Sequence, residues 1–269
     1  MIETAKKAAL AAGEIIMQHF RKVPPEAIRS KQKNDFLSFV DEQSEQAIIS
    51  TIRNAFPDHA FLAEESGASQ NSDAHLWIID PLDGTTNYIT GLPVFAVSIA
   101  LQFKGELILG VIYDPLHEEM FWAEKGKGAF LNDQPIHVTQ KARLDQSLIA
   151  TGFPFKAKHF LDTYLAAFKD VFQSSVGMRR MGAAAIDLAY VAAGRFDGFW
   201  EIGLSPWDIA AGAVLIREAG GRISDFWDND DFLHKHYTLA SNGRIHRELM
   251  AKITKHFKSF KPVYQTKGE

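Results

Sequence analysis

WIIDPLDGTTN, residues 77 to 87, is the stretch on which the reading of this chain turns. Trp77, Ile78 and Ile79 form a continuous apolar run, the pattern of a buried strand, yet the run ends in Asp80 and Asp83. Two unit charges about 4 Å apart repel by roughly 4 kcal/mol at an effective dielectric near 20. Such a pair is costly at a strand end unless a cation or a helix N-terminus sits between the carboxylates. A plainer alternative makes Asp83-Gly84 a turn and Thr85 a helix cap. Spacing alone leaves both open.

Toward the N-terminus, Ile2, Ala5, Ala9, Ala12, Ile16 and Phe20 recur at three- and four-residue steps, which predicts an amphipathic helix ending before Pro24 and Pro25. A second helix is expected from about Asp41 to Phe56, with Ile48, Ile52 and Phe56 inward. Between the two, the polar segment RSKQKNDFLSF reads as an exposed hairpin or loop. After the opening motif come VFAVSIALQF, ELILGVIYD, EEMFWAE, AFLND and PIHVT. These are short, β-branched and aromatic runs separated by turn residues, which predicts an antiparallel meander.

From about residue 146 helix and strand alternate. The expected order is a strand LIATG, a helix near 158–173, a small-residue helix GAAAIDLAYVAAG, a strand FDGFWEI and a helix PWDIAAGAVLIREAGG with a glycine stop. Strands RISDF and YTLAS and a final helix to about 257 follow, with FKSFKPVYQTKGE as a frayed tail. No internal repeat, low-complexity tract or long linker interrupts the chain. Residues 1–145, an α+β half with most of the candidate ligands, and 146–269, an α/β half with the last of them, are therefore expected to share one interface.

The composition is 46% hydrophobic and 23% charged, with a formal charge of -4. It is that of a soluble globular protein without a global basic field for nucleic acid or membrane. With no cysteine, disulfides, thiolate nucleophiles and cysteine-ligated metals are excluded, and a cytoplasmic location is expected. No run approaches the roughly 18 apolar residues that span a bilayer, and Glu3, Lys6, Lys7 and Glu14 interrupt the N-terminus where a signal peptide would be apolar.

Other acids stand in comparable places. Glu64 and Glu65 close the apolar run in FLAEESG, where a solvated loop is the plainer explanation. Asp41 begins a helix, and Ser205-Pro206-Trp207-Asp208 reads as a capping box. Each is ordinary alone. Together they form an oxygen-only set at strand ends and helix starts, the donors that Mg²⁺ takes. His234 and His236 lie beside acidic residues in what reads as a surface loop. HExxH, P-loop, GxGxxG and GxSxG motifs are all missing. Lys156, Lys158, Arg179 and Arg180 interleave with Phe153, Phe155 and Phe160, either as an RNA-contacting patch or as a solvated face over the core.

The strings EES at 64–66, WIIDPLDGTTN at 77–87 and PWDIAAGAVLIREAGG at 206–221 resemble the inositol monophosphatase family. ATGFPFKAKHF and DLAYVAAGRFDGFWEIGL are similar to its bacterial SuhB-type members, and the resemblance runs from about residue 2 to 250. It implies a layered α-β-α-β-α sugar-phosphatase fold of the α+β class. It also implies a phosphomonoesterase acting on inositol 1-phosphate or a similar polyol phosphate, and two or three Mg²⁺ ions held by Glu64, Asp80, the Leu82 carbonyl, Asp83 and Asp208, with Glu65 nearby.

By the same resemblance Glu64 and Thr85 activate water with Asp41 bonded to the threonine hydroxyl. Gly84 and Thr85 offer N–H groups to phosphate at a helix start. Asp83, Ala184, Glu201 and Asp208 meet the substrate, and Lys31 matches a basic residue near the site. A homodimer, lithium inhibition and, for SuhB-type members, a partnership with NusA and RNA polymerase are further implications. Two departures stand out: Ala183 replaces a Ser or Thr of several relatives, and the loop between Glu64 and Asp80 is short.

Overall fold

The computed structural model describes residues 1–24, 29–32, 35–37, 39–69, 74–155 and 157–257, with only the backbone course given for 29–32 and 35–37. Helix α1 (Ile2–His19) buries Ala5, Ala8, Ala9, Ala12, Gly13 and Ile16. This small-residue stripe allows close approach: a Cβ on Gly13 would lie 2.5 Å from the Tyr113 ring. Strands β1 (Arg29–Gln32) and β2 (Asp35–Leu37) pair antiparallel, the hairpin alternative for the polar segment. Helix α2 (Phe39–Ala55) follows.

One sheet is built from β3 (Ala60–Ala63), β4 (Gly67–Ala68), β5 (His75–Asp83), β6 (Ala96–Phe103), β7 (Glu106–Asp114), β8 (Glu119–Glu124), β9 (Ala129–Leu131) and β10 (Gln134–Ile136), with α3 (Thr85–Thr90) between β5 and β6. Its order is β10-β9-β8-β7-β6-β5-β3-β4. From β5 to β10 each strand pairs antiparallel with the next, which is the meander read from the sequence. The last strand is shorter than PIHVT and begins at Gln134; Pro135, which cannot donate, is tolerated there because β10 is an edge.

The second sheet takes β11 (Leu148–Thr151), β12 (Gly177–Arg179), β13 (Gly198–Ile202), β14 (Arg222–Ser224) and β15 (Tyr237–Ser241), in the order β12-β11-β13-β15-β14. Edge strand β12 and the one-turn helix α7 (Phe232–Lys235) were not anticipated, being too short to show a period. The remaining helices are α4 (Leu161–Ser174), α5 (Ala184–Ala192), α6 (Pro206–Glu218) and α8 (His246–Thr254). Helix α8 stops before the predicted end, and Phe257, expected in a frayed tail, is fully buried among Phe160, Phe226 and Tyr237. The rest of that tail lies outside the described residues.

The layers are α1/α2, the large sheet, α5/α6, the small sheet and α4/α8, an α+β sandwich of α-β-α-β-α type. Alternation along β6 explains the stacking: Val97, Ile99 and Leu101 join the core beneath α1 and α2, while Ala96 and Ala100 join the central core with α5 and α6. The central helices are alanine- and glycine-rich because backbones meet there. A Cβ on Gly110 would lie 2.5 Å from the Ala211 carbonyl, and one on Gly212 would lie 2.5 Å from Leu188. Among the described residues no helix is long and apolar enough to cross a membrane.

Candidate active site

Strand β5 does not stop at Asp80; it runs on to Asp83 through an irregularity. Asp80 pairs with Ser98 and Asp83 with Ala96, so three steps on β5 oppose two on β6. Alternation would put residues 80 and 83 on opposite faces, and the one extra residue turns them to the same side. Pro81 marks the place, since it has no N–H for the ladder, and the next N–H, that of Leu82, donates to Asp80 Oδ1 at 3.0 Å.

Asp208 arrives from the far half. It sits at the third position of α6, where Ser205 N–H donates to its Oδ2 at 2.6 Å in a complete capping box. The cap is therefore real, and it does not exclude a second role. One carboxylate oxygen from each of Asp80, Asp83 and Asp208 lies within 4.8 Å of the others. Glu64, in the turn after β3, lines the same cavity of about 390 Å³.

The electrostatics follow from this crowding. Burial, then the charges of Glu64, Asp83 and Asp208, push the Asp80 carboxyl well above the usual carboxylate range, against the Leu82 N–H. Burial and then Asp208 do the same to Asp83, opposed by the Ala185 and Gly84 N–H groups and reinforced by Glu64. All the clustered donors are oxygens, and no histidine or cysteine lines the cavity among the described residues. This donor set fits a hard divalent cation, which would relieve the repulsion that otherwise favours protonation.

The cavity floor is the start of α3. Gly84 caps it with φ of 85°, and a Cβ there would lie 2.9 Å from the Val94 carbonyl, so both conformation and space call for glycine. Thr85 Oγ1 lies 3.2 Å from Asp41 Oδ1 and 3.0 Å from the Leu82 carbonyl, and its single proton serves these two acceptors. Asp83 Oδ2 accepts the Ala185 N–H at 2.6 Å. Ala183, at the N-cap of α5, has no side-chain oxygen, so Asp83 supplies the cap from across the cavity.

The structure thus brings Glu64, Asp80, Leu82, Asp83, Gly84, Thr85, Ala184, Glu201 and Asp208 around one cavity, with Asp41 behind Thr85. Glu65 does not line it; its N–H is held by Glu45. Lys31 falls in β1, and its side chain lies outside the described ones. His234 and His236 belong to α7 and its end, with His236 Nδ1 2.6 Å from the Leu204 carbonyl. Lys156 of the basic, aromatic segment lies outside the described residues.

Several residues escaped the sequence reading. Phe153, Phe155 and Arg180, weighed only as a surface patch, form part of the cavity wall, with the Arg180 guanidinium 5.6 Å from the Phe153 ring centre. Gly152 makes room for Glu201: a Cβ would fall 2.0 Å from its carboxylate. Asp187 is buried in α5 with Oδ1 lacking a hydrogen-bond partner, and burial followed by Glu201 and Asp83 pushes its carboxyl up. None carries a local signal, since each matters through a neighbour distant in sequence.

Comparison with known proteins agrees with the geometry. A profile described as the inositol monophosphatase family matches residues 1–260. The chain is 44% identical over 261 residues to a protein of Pseudomonas aeruginosa named Nus factor SuhB, covering 95% of this chain and 96% of that one. It is 42% identical over 256 residues to an inositol-1-monophosphatase of Mesorhizobium japonicum, at 95% and 96% coverage. The crystal structure of the extragenic suppressor protein SuhB from Bartonella henselae superposes with a TM-score of 0.91 at 41% identity, covering 94% of this chain and 98% of the other.

Proposed function

The chain belongs to the inositol monophosphatase family, and from that premise we propose that it is a Mg²⁺-dependent phosphomonoesterase acting on inositol 1-phosphate or a related small polyol phosphate. The observation that carries this reading is the meeting of Asp80, Asp83 and Asp208 within 4.8 Å, in a cavity also lined by Glu64, Gly84 and Thr85. In this reading Glu64, Asp80, Asp83, Asp208 and the Leu82 carbonyl hold two or three Mg²⁺ ions. When bound, the ions offset phosphate charge and lower the pKa of water toward neutrality.

Glu64 and Thr85 orient the attacking water, and Glu64 accepts its proton. The Thr85 hydroxyl, donating toward Asp41, turns its lone pairs to that water. Gly84 and Thr85 N–H groups bind phosphate oxygens; with α3 only six residues long, the N–H groups themselves and not a macrodipole make the contact. The water attacks phosphorus in line, the ester P–O bond breaks, the leaving oxygen takes a proton from solvent water to give the alcohol, and Glu64 returns its proton to solvent. Asp83, Ala184, Glu201 and Asp208 hold the alcohol, and Lys31 keeps its match to a basic residue near the site. Ala183 withholds one hydroxyl contact. Phosphate release from a panel of polyol, sugar and nucleotide monoesters, with Mg²⁺ and with added Li⁺, tests the proposal. Mg²⁺-dependent, Li⁺-sensitive release is expected, and no release from any ester overturns it.

The relatives named Nus factor favour a second reading, in which the protein also serves transcription antitermination as a partner of NusA and RNA polymerase, with Arg179, Arg180, Phe153 and Phe155 as contacts. Asp83→Asn separates the two: it ends turnover, and rescue of a deletion strain by this variant would make the partner role the one that matters. A homodimer in the cytoplasm completes the proposal. Its support is the apolar face of α4 and the segment after it, where Leu161, Leu165, Phe172 and Val176 are exposed, and the cysteine-free composition. Sedimentation as a monomer would remove the dimer.

A further inference from the structure

Helix α2 carries an anomaly on its packing face. Its buried residues are Val40, Asp41, Ser44, Glu45, Ile48 and Ile52, a stripe at helical spacing in which two members, one turn apart, are carboxylates. Both are almost wholly buried, Asp41 at 1% and Glu45 at 4% exposure. Acids on a core-facing stripe are unfavourable unless their oxygens meet donors. Asp41 meets the hydroxyl of Thr85. Glu45 meets two backbone donors: Oε2 accepts the Glu65 N–H at 2.8 Å and Oε1 the Ser66 N–H at 2.9 Å.

Those two N–H groups belong to the turn that presents Glu64. At its start the turn is tied to β5, because Glu64 N–H donates to the Ile79 carbonyl at 3.1 Å. Just past Glu64 the tie is the Glu45 carboxylate, which fixes two successive peptide planes at once. The residue between these anchors is Glu64, on the wall of the acidic cavity.

We propose that Glu45 is a positioning residue for the cation site: it stands to Glu64 as Asp41 stands to Thr85, so that one face of α2 sets the placement of both groups that flank the attacking water. The inference rests on the cation reading of the cavity, though not on the identity of the ester. A carboxylate that only satisfied a loop would support folding and leave cation affinity alone. One that aims Glu64 alters affinity, as residues bonded to ligand-bearing groups do, by about 10- to 100-fold.

The test is calorimetric titration of chelator-treated full-length protein with Mg²⁺. Glu45→Gln keeps the shape but can accept only one of the two N–H groups, and Glu45→Asp keeps the charge and retracts it by one methylene. Both are expected to bind Mg²⁺ about 10- to 100-fold more weakly, with faster hydrogen exchange at the Glu65 and Ser66 amides and an unchanged circular dichroism spectrum. In a cycle with Glu64→Gln, the loss from Glu45→Gln should largely vanish once Glu64 no longer carries its charge. Wild-type affinity in both Glu45 variants, or full additivity with Glu64→Gln, overturns the proposal. If Glu45→Gln does not fold, the Asp variant decides by the same criteria. Weakened binding in the Glu45 variants, together with a wild type that hydrolyses no ester, would leave the Glu45 inference standing and remove the phosphatase; unchanged binding in those variants, together with a wild type that hydrolyses esters, would do the reverse.

Discussion

Replacing Asp80 by Asn should stabilise the protein when divalent cations are absent and end its response to Mg²⁺. Asp80 is 1% exposed and shares a space of 4.8 Å with oxygens of Asp83 and Asp208. At that distance one fully ionised neighbour costs about 3 kcal/mol at an effective dielectric near 20. Partial protonation relieves some of this, because the Asp80 and Asp83 carboxyls are both raised. The Asn oxygen can still accept the Leu82 N–H, so the local turn survives. A gain of about 2 kcal/mol is expected, which for a chain of this size is roughly 4–8 °C in Tm.

The pH dependence has a definite sign. An acid whose folded pKa is raised stabilises the fold below its unfolded value, near 3.8, and loses that contribution as pH rises through the folded pKa. In EDTA the wild type should therefore lose more stability than Asp80→Asn as pH rises from about 4, and Mg²⁺ should restore the wild type alone. Thermal unfolding in EDTA and in Mg²⁺ across that range, alongside turnover, makes the measurement. An Asp80→Asn protein less stable than wild type in EDTA would refute the reasoning, because the acids would then not be in conflict and would need no cation.

Three further outcomes follow from the geometry. In Asp208→Ala the broken capping box costs about 1 kcal/mol, which relief of the repulsion on Asp80 and Asp83 counters in EDTA urea unfolding, while turnover in Mg²⁺ falls by orders of magnitude; turnover near wild type would make Asp208 a cap only. Gly152→Ala places a Cβ where the Glu201 carboxylate lies, so KM for the polyol ester should rise about tenfold, or roughly 1.4 kcal/mol, with Mg²⁺ affinity kept; an unchanged KM means that Glu201 does not touch the alcohol. His246, between Ser224 and Ser241, is lowered from 6.5 to about 4 by burial and then by Arg222. Its contribution is present above pH 6.5 and lost as pH falls toward 4, about 3 kcal/mol in all. His246→Asn, less stable at pH 7, should show a shallower loss over that range in denaturant midpoints, and an equal slope would contradict the assignment.

Much of the architecture was legible from the chain because its signals are local. Helices α1, α2 and α6 and the meander from β6 to β10 carry complete hydrophobic periods and turn residues. Strands β4 and β12 and helix α7 were not legible, since two to four residues hold no period and their positions are set by neighbouring strands or buried contacts.

The acids illustrate the same division. Residue type and position at strand ends and helix starts marked Asp41, Glu64, Glu65, Asp80, Asp83 and Asp208 among 33 acidic residues as an oxygen-only set suited to a hard cation, and the family resemblance narrowed the expected ligands to Glu64, Asp80, Asp83 and Asp208. That Asp80 and Asp83 face one way was decided by a bulge beside Pro81, against the alternation a plain strand dictates. That Asp208 joins them was decided by α6 docking on the large sheet. Glu45 and Gly152 lay beyond any sequence pattern, because each acts only through a partner, at Glu65 and Ser66 or at Glu201, that the folded chain brings within reach. Local chemistry is written in a run of residues, whereas convergence depends on distances that only packing creates.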